Sequence, residues 1–156
     1  MTIPERHLPV LRRCIELSWE ARRRGDGPFG AVLVHDGRVI LEATNVSRTQ
    51  SDPLGHAEMT LLRAAVGQVP REILSQVILY ASTEPCVMCS GALYLAGIRR
   101  VVYAASAEAI ARFLHDDIAL SCREVLRSAR EPVTIEGPFL EEKALEPHRG
   151  FWPAGE

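Results

Sequence analysis

No stretch of this chain approaches the roughly 20 consecutive apolar residues that a membrane-spanning helix needs. The opening Met1-Thr2-Ile3-Pro4-Glu5-Arg6 lacks the charged-then-apolar pattern of a secretory leader, so a cytoplasmic protein without a membrane partner is expected. An excess of basic charge is missing too. Lys and Arg number 18 against 20 Asp and Glu, a net charge of −2, which argues against a nucleic-acid-binding surface. The four cysteines are too few and too irregular for a disulfide framework: Cys86 and Cys89 form one Cys-x-x-Cys, while Cys14 and Cys122 stand alone in helix-like segments and read as packing residues. That usage suits a reducing compartment and a metal or redox pair. There is no internal repeat, low-complexity run or interior linker.

What remains is 156 residues, 47% of them hydrophobic, enough to build one domain over 1–156 with a core of its own. Leu8, Leu11, Ile15 and Trp19 recur at helical spacing, predicting a helix over Leu8–Arg24 that Gly25-Asp26-Gly27-Pro28 ends. Phe29–His35 and Arg38–Ala43 read as a strand pair joined by the tight turn Asp36-Gly37. A polar loop, Thr44–Gly55, leads to a helix over His56–Val66. Then come a strand at Val77–Ala81, a helix at Cys86–Ala96 and a strand at Arg100–Ala104. Helices near Ala107–Arg112 and Ile118–Ala129, a strand near Val133–Ile135, a helix near Leu140–Leu145 and an aromatic tail complete the chain. This order predicts an α/β fold of three layers, α/β/α, with a five-stranded mixed sheet and helices on both faces.

The chemistry concentrates in two short motifs, His56-Ala57-Glu58 and Pro85-Cys86-Val87-Met88-Cys89. Residues three apart share one helix face, so both sulfurs can meet one metal, and the first turn of a helix favours thiolate over thiol. Pro85 suits a helix entry, where its missing donor costs nothing. Cys-x-x-Cys alone could be a redox pair or half of a structural zinc site, and His-Ala-Glu alone means little. Together they supply three zinc ligands and a spare carboxylate. A closed structural site would take four ligands; three leave a position for water, and Glu58 can shuttle its protons. Two apart in mid-helix, His56 and Glu58 would diverge, and periodicity alone does not bring them together.

His-x-Glu followed by Pro-Cys-x-x-Cys resembles the zinc-dependent cytidine deaminase superfamily. Within it, Gly27-Pro28-Phe29-Gly30-Ala31-Val32, Asn45, Asp52-Pro53-Leu54-Gly55-His56-Ala57-Glu58, Glu84 to Tyr94, and Phe113-Leu114-His115-Asp116-Asp117 are most similar to bacterial guanine deaminases, over about residues 8–145. The resemblance implies one Zn2+ per subunit on His56, Cys86 and Cys89, with Glu58 as general acid/base. It implies that Phe29 packs against the base, that Asn45 hydrogen-bonds it, that the Ala57 backbone contacts the ring, and that Asp117 is a second proton carrier. It also implies a homodimer in which residues 131–156 are exchanged, so that Phe151 or Trp152 covers the partner's pocket. Two features depart from that pattern: Leu95 stands where a Trp is common, and the tail Phe151–Glu156 differs. Asp116 and Asp117 also read as a solvated cap before Ile118.

The expected activity is hydrolytic deamination of a purine base, guanine to xanthine and ammonia. With no glycine-rich phosphate loop in the sequence, a free base or nucleoside fits better than a nucleotide. Alternatives are a tRNA adenosine deaminase, a deaminase of cytosine or another small aminated ring such as a triazine, and a non-catalytic module using zinc for structure. Against tRNA stand Phe29, where that group has Val, and an end with Glu131, Glu136, Glu141, Glu142, Glu146 and Glu156 facing only Lys143 and Arg149. The cluster Arg12, Arg13, Arg22, Arg23 and Arg24 favours it.

Overall fold

The computed structural model describes residues 2–115 and 118–154. A five-stranded sheet runs in the order β2-β1-β3-β4-β5, where β1 is Gly30–His35, β2 Arg38–Thr44, β3 Ile78–Thr83, β4 Arg100–Ala105 and β5 Thr134–Glu136. β1 is antiparallel to both β2 and β3; β3, β4 and β5 are parallel, so the sheet is mixed as expected. The hairpin between β1 and β2 turns through Asp36 and Gly37, both at positive φ (51° and 75°), which is the twist that a two-residue connection requires.

Side chains alternate across a strand, and the core divides accordingly. Val32, Val34, Tyr80, Val102 and Ala104 face one layer, formed by α1 (Leu8–Arg24), α5 (Ala107–Ile110) and α7 (Glu141–Leu145). Ala31, Leu33, Leu79, Ala81, Val101 and Tyr103 face the other, which holds α2 (Ala57–Gln68), α3 (Arg71–Leu74), α4 (Val87–Ala96) and α6 (Cys122–Leu126). Helices thus cover both faces. Leu11, Leu33, Leu61 and Leu79 are fully buried, and truncating any of them to Ala costs about 2–5 kcal/mol. Gly30 lets α1 lie close on β1: a Cβ there would meet the Cys14 carbonyl oxygen and the Leu17 Cβ at 2.5 Å. Cys14 and Cys122 are fully buried, as packing residues should be.

Several boundaries differ from the sequence expectation. His56 and Cys86 are extended cap residues, and α2 and α4 begin one residue later. α5 ends at Ile110 rather than Arg112, β5 is shifted by one residue, and the four-residue α3 was not foreseen. The helix expected over Ile118–Ala129 is only α6, Cys122–Leu126. Ser121 starts it with a reciprocal capping box: its side chain accepts from the Glu124 N–H while the Glu124 carboxylate accepts from the Ser121 N–H. Ile118 and Leu120 lie before that cap, in non-helical chain.

Candidate active site

β3 ends at Thr83, and Glu84-Pro85 carry the chain to Cys86 at the mouth of α4. From the other side, the loop after Asn45 delivers His56 to the mouth of α2. The site therefore lies beyond the C-terminal ends of parallel strands, where open α/β sheets bind ligands. Neither helix has a side-chain cap, because the cap residues turn their side chains toward each other instead. Nδ1 of His56 stands 3.5 Å from Sγ of Cys86 and 3.6 Å from Sγ of Cys89. Tetrahedral zinc with Zn–S about 2.3 Å and Zn–N about 2.0–2.1 Å sets a sulfur–nitrogen edge of roughly 3.6 Å. These three atoms, all within 4.8 Å of one another, fit zinc without rearrangement. The convergence of His56 with the carboxylate at 58, which spacing left open, follows from the extended backbone at His56 (φ −62°, ψ 154°).

Electrostatics agree with a metal site. The Cys86 thiol is pulled down to about 4, first by the hydrogen bond from the Cys89 thiol and further by His56. Cys89 is pushed up by the shared hydrogen bond with Cys86 and by burial. Glu58 is 5% exposed, and its Oε2 accepts from Cys89 at 3.6 Å. Burial, then the charge on Cys86, raises its carboxyl to about 7, so it can both take and give a proton near neutral pH.

Two cavities meet here. An inner one of about 70 Å³ is walled by Phe29, His56, Glu58, Glu84, Cys86 and Ile110, with Leu114, Ile118 and Leu120 closing it. An outer one of about 310 Å³ is walled by Gly27, Asn45, Ser47, Arg48 and Trp152, and shares Phe29, His56 and Leu114 with the first. Phe29 thus stands between them. Asn45 is buried in the outer cavity, where its Oδ1 accepts from the N–H and hydroxyl of Ser47 at 2.9 and 2.8 Å. Those bonds fix the amide, and its NH₂ is the group left to donate. Ala57 is fully buried and walls neither cavity; its backbone links His56 to Glu58 at the uncapped end of α2.

Trp152 folds over the chain's own pocket, its ring 6.0 Å from that of Phe29. Arg48 lies 4.8 Å from the Phe151 ring centre, and Arg22 donates to the carbonyls of Pro147 and Arg149 at 2.6 and 2.7 Å, which holds the tail down. Leu95 is 77% exposed on α4 and walls neither cavity, so within one copy its identity does not shape the pocket. His115 is exposed. Asp116 and Asp117 lie outside the described residues.

Sequence reasoning singled out neither Glu84 nor His148. Glu84 sits inside the second motif and is 8% exposed in the inner wall. His148 is fully buried behind Phe29, with ring centres 5.0 Å apart, and nothing in local spacing announces a contact across more than a hundred residues.

Residues 4–105 match the cytidine and deoxycytidylate deaminase zinc-binding region. A probable cytosine deaminase of Schizosaccharomyces pombe is 34% identical over 98% of this chain and 96% of its own length. The guanine deaminase of Bacillus subtilis is 40% identical over 80% of each chain. The solved guanine deaminase of Nitrosomonas europaea, 24% identical, superimposes over 90% of this chain and 81% of its own with a TM-score of 0.78, which shows the same fold. With this match, the fold and a three-ligand site fitted to zinc, the chain belongs to the cytidine and deoxycytidylate deaminase family of zinc-dependent hydrolytic enzymes.

Proposed function

We propose that this protein deaminates a free purine base, converting guanine and water to xanthine and ammonia. The observation that carries this reading is the pair of joined cavities: the inner one holds Glu58 beside the ligand cluster, and the outer one adds room and the Asn45 amide. A fused two-ring base spans both, whereas a single pyrimidine ring needs only the inner part. Phe29 packs against the ring, and the Asn45 NH₂ donates to a carbonyl or ring nitrogen on it. The Ala57 backbone, at the mouth of α2, borders the reacting end.

His56, Cys86 and Cys89 hold the zinc, which supplies a Lewis acid that makes water nucleophilic near neutral pH. Glu58 takes the proton of the water that adds to the ring carbon bearing the amino group. It delivers that proton to the adjacent ring nitrogen, takes a second from the hydroxyl now on that carbon, and gives it to the amine as the carbon–nitrogen bond breaks and the carbonyl forms. Asp117 is the second proton carrier in this scheme. The net charge of −2 and the acidic end argue against a tRNA substrate, and the reading places the protein in the cytoplasm as one domain. It is further read as a homodimer. Val66 on α2 and Leu95 on α4, 60% and 77% exposed, are apolar surface that a second copy would cover. Exchange of residues 131–156 would remake between copies the Trp152–Phe29 contact seen within one.

Ammonia release from guanine, cytosine, adenine, adenosine and amino-triazines tests this, with guanine expected to show the highest kcat/KM. A protein that deaminates cytosine and leaves guanine untouched would establish the second reading, which the 98% coverage by the Schizosaccharomyces pombe relative supports. Light scattering tests the dimer; a monomer at working concentration removes it.

A further inference from the structure

Glu84 does something that neither zinc chemistry nor ring contact explains. Its backbone N–H donates to the Ala105 carbonyl at 2.7 Å, extending the pairing of β3 with β4 by one residue. Its carboxylate then divides: Oε2 accepts the backbone N–H of Ala107 at 2.8 Å, and Oε1 accepts that of Cys122 at 2.8 Å. Ala107 is the first residue of α5 and Cys122 the first of α6. The chain between these two points contributes Ile110, Leu114, Ile118 and Leu120 to the inner cavity. One buried side chain therefore fastens both ends of the apolar wall to the strand end that also carries Cys86.

The capping serines at both ends are already committed to other partners. Ser106 and Ser121 cap the third residue of their helices, accepting from Ala109 and Glu124 at 3.1 Å. Their own N–H groups donate to the carboxylates of Glu141 and Glu124 at 2.7 Å. Of the first-turn N–H groups, Glu84 takes that of Ala107 in α5 and that of Cys122 in α6. A carboxylate can accept two such bonds; a glutamine can accept with one oxygen only and would set its NH₂ against the second N–H.

We infer that Glu84 is the positioning residue of the substrate pocket: it sets where the apolar wall stands relative to the zinc ligands, and so governs binding of the ring rather than the proton transfers. This rests on the proposed pocket being the substrate site.

The test begins with backbone amide exchange in the zinc-loaded wild-type protein. The amides of Ala107 and Cys122 are expected to be protected more than those of their exposed neighbours Glu108 and Arg123; unprotected amides overturn the inference without any variant. In Glu84→Gln, both amides are expected to exchange faster, and zinc should stay at one per chain. For whichever ring the wild type turns over, KM should rise roughly tenfold while kcat changes less than about threefold. Loss of zinc would mean that Glu84 acts through Cys86 instead, and a lowered Tm with KM unchanged would mean a structural role only; either result overturns the inference. Exchange and zinc content need no substrate. A protein inactive on every ring therefore sinks the proposed activity and leaves the exchange result to judge Glu84.

Discussion

The indole N–H of Trp152 donates to Nδ1 of His148 at 3.1 Å, and the two rings lie 9° from parallel with centres 6.1 Å apart. His148 packs in turn against Phe29 and Phe113, with centres at 5.0 and 5.8 Å. A tail residue is thus tied to the ring that divides the two cavities. With Nδ1 accepting, Nε2 carries the proton, and it is buried without a hydrogen-bond partner among the described residues.

That placement makes the tail acid-sensitive. Burial, then the charge of Arg22, lowers His148 from 6.5 to about 4. Between those values the unfolded chain takes up a proton that the folded chain refuses. Stability is therefore undiminished by this group above pH 6.5 and falls as pH drops from 6.5 toward 4, by up to about 3 kcal/mol. Tm measured across that window should fall in the wild type and less steeply in His148→Phe. Superimposable pH profiles for the two proteins would remove this account.

Glu58→Gln keeps the size and burial of the side chain but removes its capacity to cycle a proton. Zinc content should remain at one per chain, because Glu58 is not among the three clustered ligand atoms. The deamination rate should fall about 10²–10⁴-fold. Cys86→Ser should instead lose the zinc, by metal analysis, and activity with it. A Glu58→Gln enzyme with near wild-type kcat would show that another group moves the protons.

The two motifs were legible because zinc chemistry fixes residue types and short spacings, and those survive any detail of packing. The strands were legible because Val32, Val34 and Tyr80 on one face alternate with Ala31, Leu33 and Leu79 on the other. The start of α6 was legible in principle: Ser121 and Glu124 have capping-box spacing, which apolar residues at Ile118 and Leu120 obscured. The roles of His148 and Glu84 were not legible. His148 acts through the Phe29 ring, more than a hundred positions away, and Glu84 holds backbone amides, which carry no sequence signature.

Asp26 anchors the loop that brings Asn45 and His56 to the site. It is fully buried and accepts from the N–H groups of Arg48 and Thr49 at 3.0 and 2.9 Å, from the Thr49 hydroxyl at 2.8 Å and from Arg24 at 3.2 Å. Burial alone would raise its carboxyl, but these donors outweigh it and hold the group below its ordinary 3.8. A depressed carboxyl stabilises fully above 3.8, and the contribution is lost as pH falls through the lower folded value. Asp26→Ala leaves buried N–H groups without acceptors and should cost about 2–4 kcal/mol in denaturant unfolding at neutral pH. It should also abolish this part of the acid dependence. A loss under about 0.5 kcal/mol would mean that the loop stands without Asp26.

Ser47 decides which face Asn45 shows the substrate. Its N–H and hydroxyl both bond the Asn45 oxygen, so the NH₂ is the part turned to other partners. Ser47→Ala removes one of the two restraints and should raise KM a few-fold, since a single neutral hydrogen bond is worth about 0.5–1.5 kcal/mol. Asn45→Asp is the harsher change. The oxygen bonded by Ser47 stays, but an acceptor replaces the donor and faces the acceptor of the base. A site built to donate there should then lose at least about tenfold in kcat/KM for guanine. Steady-state kinetics on the two variants separates the cases. If Asn45→Asp binds and turns over guanine as the wild type does, Asn45 does not read the ring.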